Sequence, residues 1–295
     1  MSFNSAVYLG KKLVDTTMFW DCDNDKFIMP EVSNGQPQLH SERSMPRDKH
    51  WSPYTYNNQL YMLYSIDPLR IMFCDRKAKC RFVQNNADNK YKFDDLRDSL
   101  RGGTPTINYA KNYYITIAHS TQFKKGTYYK RYYGINLVVL RINSESDHQI
   151  VYLSAPIQFH KKLMNSIPLV RYKFIDDPFV FPVSLVNESL DSLVIGGHIN
   201  DHSSYLLRLT GIKSLMNKVM SQQISMKGPV NMLLQNLTRQ FASQVSGYEF
   251  MTWPERLPHP CINKINLFVN LKDIFCHQYQ RITATINFDH LFLIY

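Results

Sequence analysis

Arg47-Asp48-Lys49-His50-Trp51-Ser52-Pro53-Tyr54 leads, past the turn pair Asn57-Asn58, into the aromatic run Leu60-Tyr61-Met62-Leu63-Tyr64-Ser65. The same order of parts returns further on. Arg101-Gly102-Gly103-Thr104-Pro105 precedes Tyr113-Tyr114-Ile115-Thr116-Ile117-Ala118-His119-Ser120, and a looser third copy follows Phe174 to Pro178. A charged loop feeding an aromatic strand brings arginine and carboxylate groups to the mouth of a β-structure while the strands hold them rigid. The copies are separated by roughly 50 to 75 residues, the range of one propeller blade with its loops.

Working outward, residues 50 to 212 read as a succession of short strands: 60–66, 70–74, 80–84, 106–109, 113–119, 133–142, 150–158, 169–174, 179–186, 192–199 and 204–209. Turn residues separate them, among them Asp67-Pro68, Lys111-Asn112, Asn143-Ser144 and Asp176-Asp177-Pro178. Short strands at regular spacing indicate an all-β sandwich, barrel or propeller, and the blade-length repeat favours the propeller. The region contains no amphipathic helix of useful length, which argues against a parallel sheet built from βαβ units. Residues 1–45 carry a weak strand signal at Ala6-Val7-Tyr8-Leu9 and a polar stretch, and read as part of the main domain. Residues 46–212 are the propeller-like core. Residues 213–295 form a mixed C-terminal region that either closes the last blade or is poorly ordered. Apolar residues at Leu215, Val219, Ile224, Met232, Leu233 and Leu237, with a break at Gly228-Pro229, predict two short helices there.

The chain has 295 residues, 44% of them hydrophobic, enough to bury a real core. Its 19 Tyr and 17 Phe favour strands, and flat aromatic rings also suit the apolar face of a pyranose. Most single tyrosines are more simply strand residues with one wet end. The formal charge of +10 draws anions, but Lys124-Lys125, Lys130-Arg131 and Lys161-Lys162 are scattered between apolar strands. Nucleic-acid binding needs a concentrated stripe, so solvated faces are the simpler reading, with one or two cations left for a sugar diphosphate. Cys22, Cys74, Cys80, Cys261 and Cys276 form no CxxC pair, which speaks against a zinc framework. Cys74 and Cys80 flank a turn and read equally as a local disulfide or as two free thiols. Asp21-Cys22-Asp23 is a D-x-D of the kind that metal-dependent glycosyltransferases use, although a solvated acidic turn is the simpler account. No run of 18 apolar residues spans a membrane, and Met1 to Leu13 lacks the apolar segment of a signal peptide.

The loops also carry a resemblance. Arg47-Asp48-Lys49-His50-Trp51-Ser52-Pro53-Tyr54 followed by Tyr64-Ser65-Ile66-Asp67-Pro68-Leu69-Arg70 resembles a signature of the fungal β-1,2-mannosyltransferases. Leu100-Arg101-Gly102-Gly103-Thr104-Pro105 with Ala118-His119-Ser120 is similar to the same family. So is Gly197-His198-Ile199-Asn200-Asp201-His202-Ser203-Ser204 running into Leu209-Thr210-Gly211-Ile212. The similarity covers about residues 45 to 215. It implies a five-bladed β-propeller-like fold, distantly similar to mannoside phosphorylases, and transfer of mannose from GDP-mannose to a mannan acceptor with inversion to a β-1,2 linkage. It implies the Golgi lumen and an N-terminal anchor, which this sequence does not display; the cytoplasm therefore stays open as a location.

An inverting transfer needs a general base for the acceptor hydroxyl and positive charge for the departing diphosphate. Asp48, Asp177 and Asp201 are the candidate catalytic bases, each at a strand edge within a motif loop. Arg101 is the leading diphosphate partner, because a guanidinium binds two oxygens at once, and Gly102, Gly103 and Thr104 let backbone approach closely. Arg47, Lys49 and Arg70 are further cationic candidates. His50, Trp51, His119, Asn200 and His202 complete the expected substrate-binding set. The phosphorylases carry a catalytic aspartate in the first loop, a slot that falls here near His50. Each residue also has a plainer role: turn caps for the aspartates, an inter-blade ion pair for Arg101, blade core for Trp51. No cofactor is firmly implied; a divalent metal is an option. The rival functions are a β-mannoside phosphorylase or hydrolase, with two carboxyl groups across the bond, and a non-catalytic glycan-binding propeller.

Overall fold

The computed structural model describes residues 2–33, 47–66, 69–85, 100–124, 131–154, 156–157, 159, 161–169, 177–221, 248–249 and 282–287. They form four separate sheets and two helices. The first sheet joins β1 (Ser2–Leu9), β2 (Lys12–Asp21) and β3 (Lys26–Ile28), with the two-residue β5 (Arg47–Asp48) parallel to β2. The second holds β4 (Glu31–Val32), β9 (Lys79–Asn85), β8 (Arg70–Cys74), β7 (Gln59–Ser65) and β6 (Ser52–Tyr56), paired in that order. The third runs β10 (Ile107–Ala110), β11 (Tyr113–Lys124), β12 (Arg131–Ser144), β13 (Asp147–Leu153), with β17 (Tyr248–Glu249) beside β11. The fourth runs β14 (Val180–Ser189), β15 (Ser192–Ile199), β16 (Ser203–Thr210), and β18 (Ile282–Asn287) parallel to β16. Short helices α1 (Lys161–Ser166) and α2 (Ile212–Ser221) flank β14 to β16 in sequence.

The turns follow from residue type. Asn57 and Asn58 both take positive φ, 50° and 59°, which a two-residue hairpin between twisted strands requires and asparagine tolerates. Asn200 and Asp201 do the same at 57° and 52° between β15 and β16. Gly10 turns β1 into β2 at φ 61°.

Strand alternation then assigns each side chain to one of two faces. Met62, Tyr64 and Met72 of the second sheet meet Phe19 and Ile28 of the first. Tyr61, Leu63 and Ile71, one residue out of phase, meet Tyr114, Ala118, Val138, Leu140 and Ile150 of the third. Ile115, Ile117, Leu137 and Val139 face the fourth sheet's Leu185, Leu193, Ile195, Tyr205 and Leu207, and α2 adds Ile212, Leu215, Met216 and Val219. The four sheets thus stack face to face in chain order, the second and third buried on both sides. Each fully buried aliphatic or aromatic side chain contributes about 1.5–3 kcal/mol by leaving water.

The all-β expectation agrees with this architecture. β2 is the main addition: its centre, Asp15-Thr16-Thr17, is polar yet buried, so hydropathy conceals a ten-residue strand. Strand 150–158 instead starts at Asp147 and ends at Leu153. α2 covers the first of the two expected helices, while Gly228 to Leu237, residues 170–174 of the expected strand 169–174, Cys261 and Cys276 lie outside the described residues. Cys74 and Cys80 are joined as a disulfide across β8 and β9, with Cα atoms 4.1 Å apart. Among the described residues no helix is long and apolar enough to cross a membrane.

Candidate functional site

Parts of three motifs meet: the loop at 47–51, the loop at 101–104, and the Gly197 to Ser204 stretch that turns β15 into β16. β5 lies parallel to β2, pairing Arg47 with Asp15 and Asp48 with Thr16, so the first motif starts as an added strand of the first sheet. The Arg47 and Asp48 side chains lie outside what the structure describes. Lys49 places its Nζ 2.7 Å from Asp15 Oδ2, and both groups are mostly buried. His50 follows with φ 70°, an uncommon conformation for a residue with a β-carbon. Asn4 holds it there: its Oδ1 accepts the His50 backbone N–H at 3.1 Å, and its Nδ2 lies 3.1 Å from His50 Nδ1. The chain then enters β6.

The second motif crosses this point at close range. Arg101 pairs with His119 through both backbone hydrogen bonds, each 3.0 Å. A β-carbon on Gly102 would collide with Ser52 Oγ and stand 2.7 Å from the His50 carbonyl oxygen. One on Gly103 would come within 2.6 Å of Pro182 Cγ and 2.8 Å of the Ile117 carbonyl oxygen. The two glycines are therefore a spacer between the second sheet's entry loop and β14 of the fourth sheet. Thr104 is buried; its hydroxyl accepts the Ile117 N–H at 3.0 Å and lies 3.3 Å from Thr116 Oγ1, which ties the loop to β11.

An aromatic chain links the segments. The His50 ring is 5.1 Å from His119 and 5.1 Å from Phe181 of β14. Phe181 contacts His119 at 4.7 Å and stacks on His198 of β15 at 5.3 Å with 13° between planes. Tyr133 and Phe179 extend the group. His198 Nδ1 lies 2.9 Å from Asp201 Oδ1, each side chain about a third exposed. Residues more than 150 positions apart thus form one continuous half-open cluster.

Its electrostatics are mixed. His119 is sealed in, and burial drives its pKa down to about 3; the Gly102 carbonyl opposes this, while the Arg101 and Lys49 charges push the same way. It stands as a neutral imidazole whose Nδ1–H donates to that carbonyl. His198 is also lowered by burial, with Asp201 acting in the opposite direction. Two cations, two carboxylates and three imidazoles therefore sit around a core of aromatic rings.

The expected residues divide by placement. Lys49, His50, Arg101, Gly102, Gly103, His119 and Asp201 belong to the cluster. Asp177 is half-buried, two residues before Phe179, and His202 is exposed with Nδ1 2.9 Å from Ser203 Oγ. Trp51, Arg70, Thr104 and Asn200 are turned into the scaffold. Trp51 packs on Tyr64 at 5.5 Å. Arg70 lies over the Tyr64 ring at 4.9 Å and donates to Ser65 Oγ at 2.8 Å. Asn200 accepts the Phe179 N–H at 2.8 Å and donates to the carbonyls of Met164 and Ile167 at 3.1 and 2.9 Å. Asp15, Phe181 and His198 were not expected. His198 was legible as the residue three before Asp201 in a two-residue turn; Asp15 gave no signal.

Among the described residues no three His, Cys, Asp or Glu side chains are grouped to hold a metal ion. In the D-x-D, Asp21 accepts the Asp23 N–H at 3.2 Å and the Asn24 side-chain amide at 2.8 Å, and the latter bond leads in lowering its pKa.

The chain is similar to Beta-mannosyltransferase 6 of Candida albicans, 26% identical over 251 residues, which is 73% of this chain and 37% of that protein. The chain spans a little over a third of that relative's length. No protein-family model matches it, and no solved structure does.

Proposed function

We propose that this chain is a propeller-type glycosyltransferase that moves mannose from GDP-mannose onto a mannan or oligomannoside acceptor, inverting to a β-1,2 linkage. One observation carries the reading: the three motif loops converge, so that Lys49, Arg101, His50, Phe181, His198 and Asp201 border a single half-open cluster. The similarity to a fungal β-mannosyltransferase supports the same class. Face-to-face stacking of successive sheets supports a propeller, with the described sheets as four of its blades.

In this reading the donor diphosphate lies toward Arg101 and Lys49, whose charges favour it as it departs. Phe181 offers a flat apolar face to the pyranose. The acceptor hydroxyl attacks C1 of mannose, the C1–O bond to the diphosphate breaks, and the hydroxyl proton passes to a base. Asp201 is the carboxylate nearest that event; Asp48 and Asp177, earlier in the chain and in other loops, are the remaining candidates. Trp51, Arg70, Thr104 and Asn200 support the loops from behind. The Cys74–Cys80 disulfide fits an oxidising compartment such as the Golgi lumen.

Incubation with GDP-mannose and β-1,2-mannobiose tests the proposal. Elongated product with release of GDP supports it. Release of mannose or of mannose 1-phosphate from the mannobiose points to the hydrolase or phosphorylase class, and binding without turnover to a glycan-binding module. Repeating the assay in EDTA shows whether a divalent cation shares the work of Arg101 and Lys49.

A further inference from the structure

The carboxylates of the motif loops are the obvious bases, but the geometry at the β15–β16 turn points to a different group. We infer that the imidazole of His198 is the proton acceptor for the sugar hydroxyl, and that Asp201 is a positioning residue that acts through it. This rests on the glycosyltransferase reading above.

Three observations carry it. First, Asp201 Oδ1 lies 2.9 Å from His198 Nδ1. The contact is electrostatic, since Nδ1 is buried with no hydrogen-bond partner; the nearby negative charge favours a proton on Nδ1 and leaves Nε2 with its lone pair, the form a general base needs. Second, the ring is fixed in direction: it stacks on Phe181 with 13° between planes and meets Phe179 edge-on at 6.2 Å. Third, the backbone that carries the carboxylate is fixed. Asp201 has φ 52° in a turn whose other central residue, Asn200, is fully buried and anchored to Phe179, Met164 and Ile167. A ring set by aromatic neighbours, with a carboxylate presented beside it from a fixed turn, is a layered arrangement of the kind general-base catalysis uses. His198 keeps about a third of its side chain exposed, whereas His119 is sealed from solvent.

The proton balance is simple. The hydroxyl proton moves to Nε2 as the oxygen bonds to C1 and the diphosphate leaves with the electron pair of its bond to C1. The imidazolium, stabilised by Asp201, then returns the proton to water. The titratable groups facing this ring are Asp201 beside it, His50 and His119 across Phe181, and Lys49 and Arg101 next to His119.

The test uses the full chain with three variants: His198→Gln, His198→Ala and Asp201→Asn. His198→Gln should lower kcat by roughly 10²–10⁴-fold with donor KM little changed, the usual scale for losing a general base. In the wild type, the acidic limb of the kcat/KM profile should follow the His198 pKa measured by NMR titration. Asp201→Asn removes the charge that favours the imidazolium, so it should move both the NMR pKa and that limb to lower pH together. If either His198 variant folds and keeps near-wild-type kcat, the base is elsewhere. If Asp201→Asn leaves the NMR pKa unmoved, the positioning role fails irrespective of activity. A wild-type chain that transfers no mannose overturns the glycosyltransferase reading and the base role together. Active wild type with unaffected variants overturns the base role alone.

Discussion

Lys49 Nζ stands 2.7 Å from Asp15 Oδ2, bridging the first charged motif to the centre of a strand that shows no sign of importance in the sequence. The pair joins the loop that starts the second sheet to the buried middle of the first. Its environment is mostly shielded from water, so each partner relies on the other. Lys49→Ala and Asp15→Ala should each destabilise the protein by about 1–3 kcal/mol, and the double variant by clearly less than the sum. Urea unfolding of the four chains in the cycle measures this; strict additivity would show that the contact contributes nothing.

Gly102 and Gly103 have no room for a methyl group. Gly102→Ala would press against Ser52 and the His50 carbonyl, and Gly103→Ala against Pro182 and the Ile117 carbonyl. Because backbone atoms are among the obstacles, relief requires the loops to part. Each substitution should cost about 1–3 kcal/mol and reduce transfer more than it reduces melting temperature would suggest. Calorimetry beside the transfer assay checks both halves.

Asn200→Ala should be among the costlier single changes at this end of the molecule. It strands the Phe179 N–H and two helix-end carbonyls in a buried setting, at about 1–3 kcal/mol for each group left unmade. Since Asn200 fixes the turn that presents Asp201, activity should fall as well. A variant that melts like wild type would show that water replaces the amide.

Two buried histidines make stability sensitive to acid. His148 sits between Tyr54, whose hydroxyl is 2.8 Å from Nε2, and Gln84, whose Oε1 is 3.1 Å from Nδ1; burial lowers its pKa to about 4. His119 is lowered to about 3 for the same reason. The unfolded chain binds these protons near pH 6.5 and the folded chain does not, so stability is present in full above that pH. It falls as the pH drops from about 6.5 to about 4 for His148 and on to about 3 for His119, and each histidine accounts for on the order of 3–5 kcal/mol. Melting curves across this range should show the loss, and His148→Gln should flatten it.

The Cys74–Cys80 bridge closes a short turn. Loop entropy gives it about 2 kcal/mol of stabilisation. The Cys74→Ser, Cys80→Ser double variant should lose that amount and keep its activity, because neither cysteine contributes a side chain to the aromatic cluster. Thermal unfolding with and without reductant provides the comparison.

Strands made of near-continuous apolar runs bounded by turn residues were readable from the sequence: 70–74 and 192–199 coincide with β8 and β15, and Leu60 to Ser65 falls within β7. β2 was not, because its interior is built from Asp15, Thr16 and Thr17, residues whose burial depends on partners distant in sequence. The loops that converge were legible as charged, glycine-bearing motifs. Which of their side chains turn outward was not. Trp51 and Arg70 belong to motif-like stretches yet face the packed interior, since strand register, invisible in a single sequence, decides the face. His198 lay in a quoted motif but stood behind the more familiar chemistry of its neighbouring aspartate.

Because the buried faces of the described sheets pack mainly on the sheets next to them in chain order, the architecture has a direction in time. As the polypeptide emerges from the ribosome, every hairpin closes locally, but one greasy surface stays bare until the next unit arrives. A pause in translation after any unit would therefore leave a sticky intermediate, and helper proteins that shield such surfaces should engage it there.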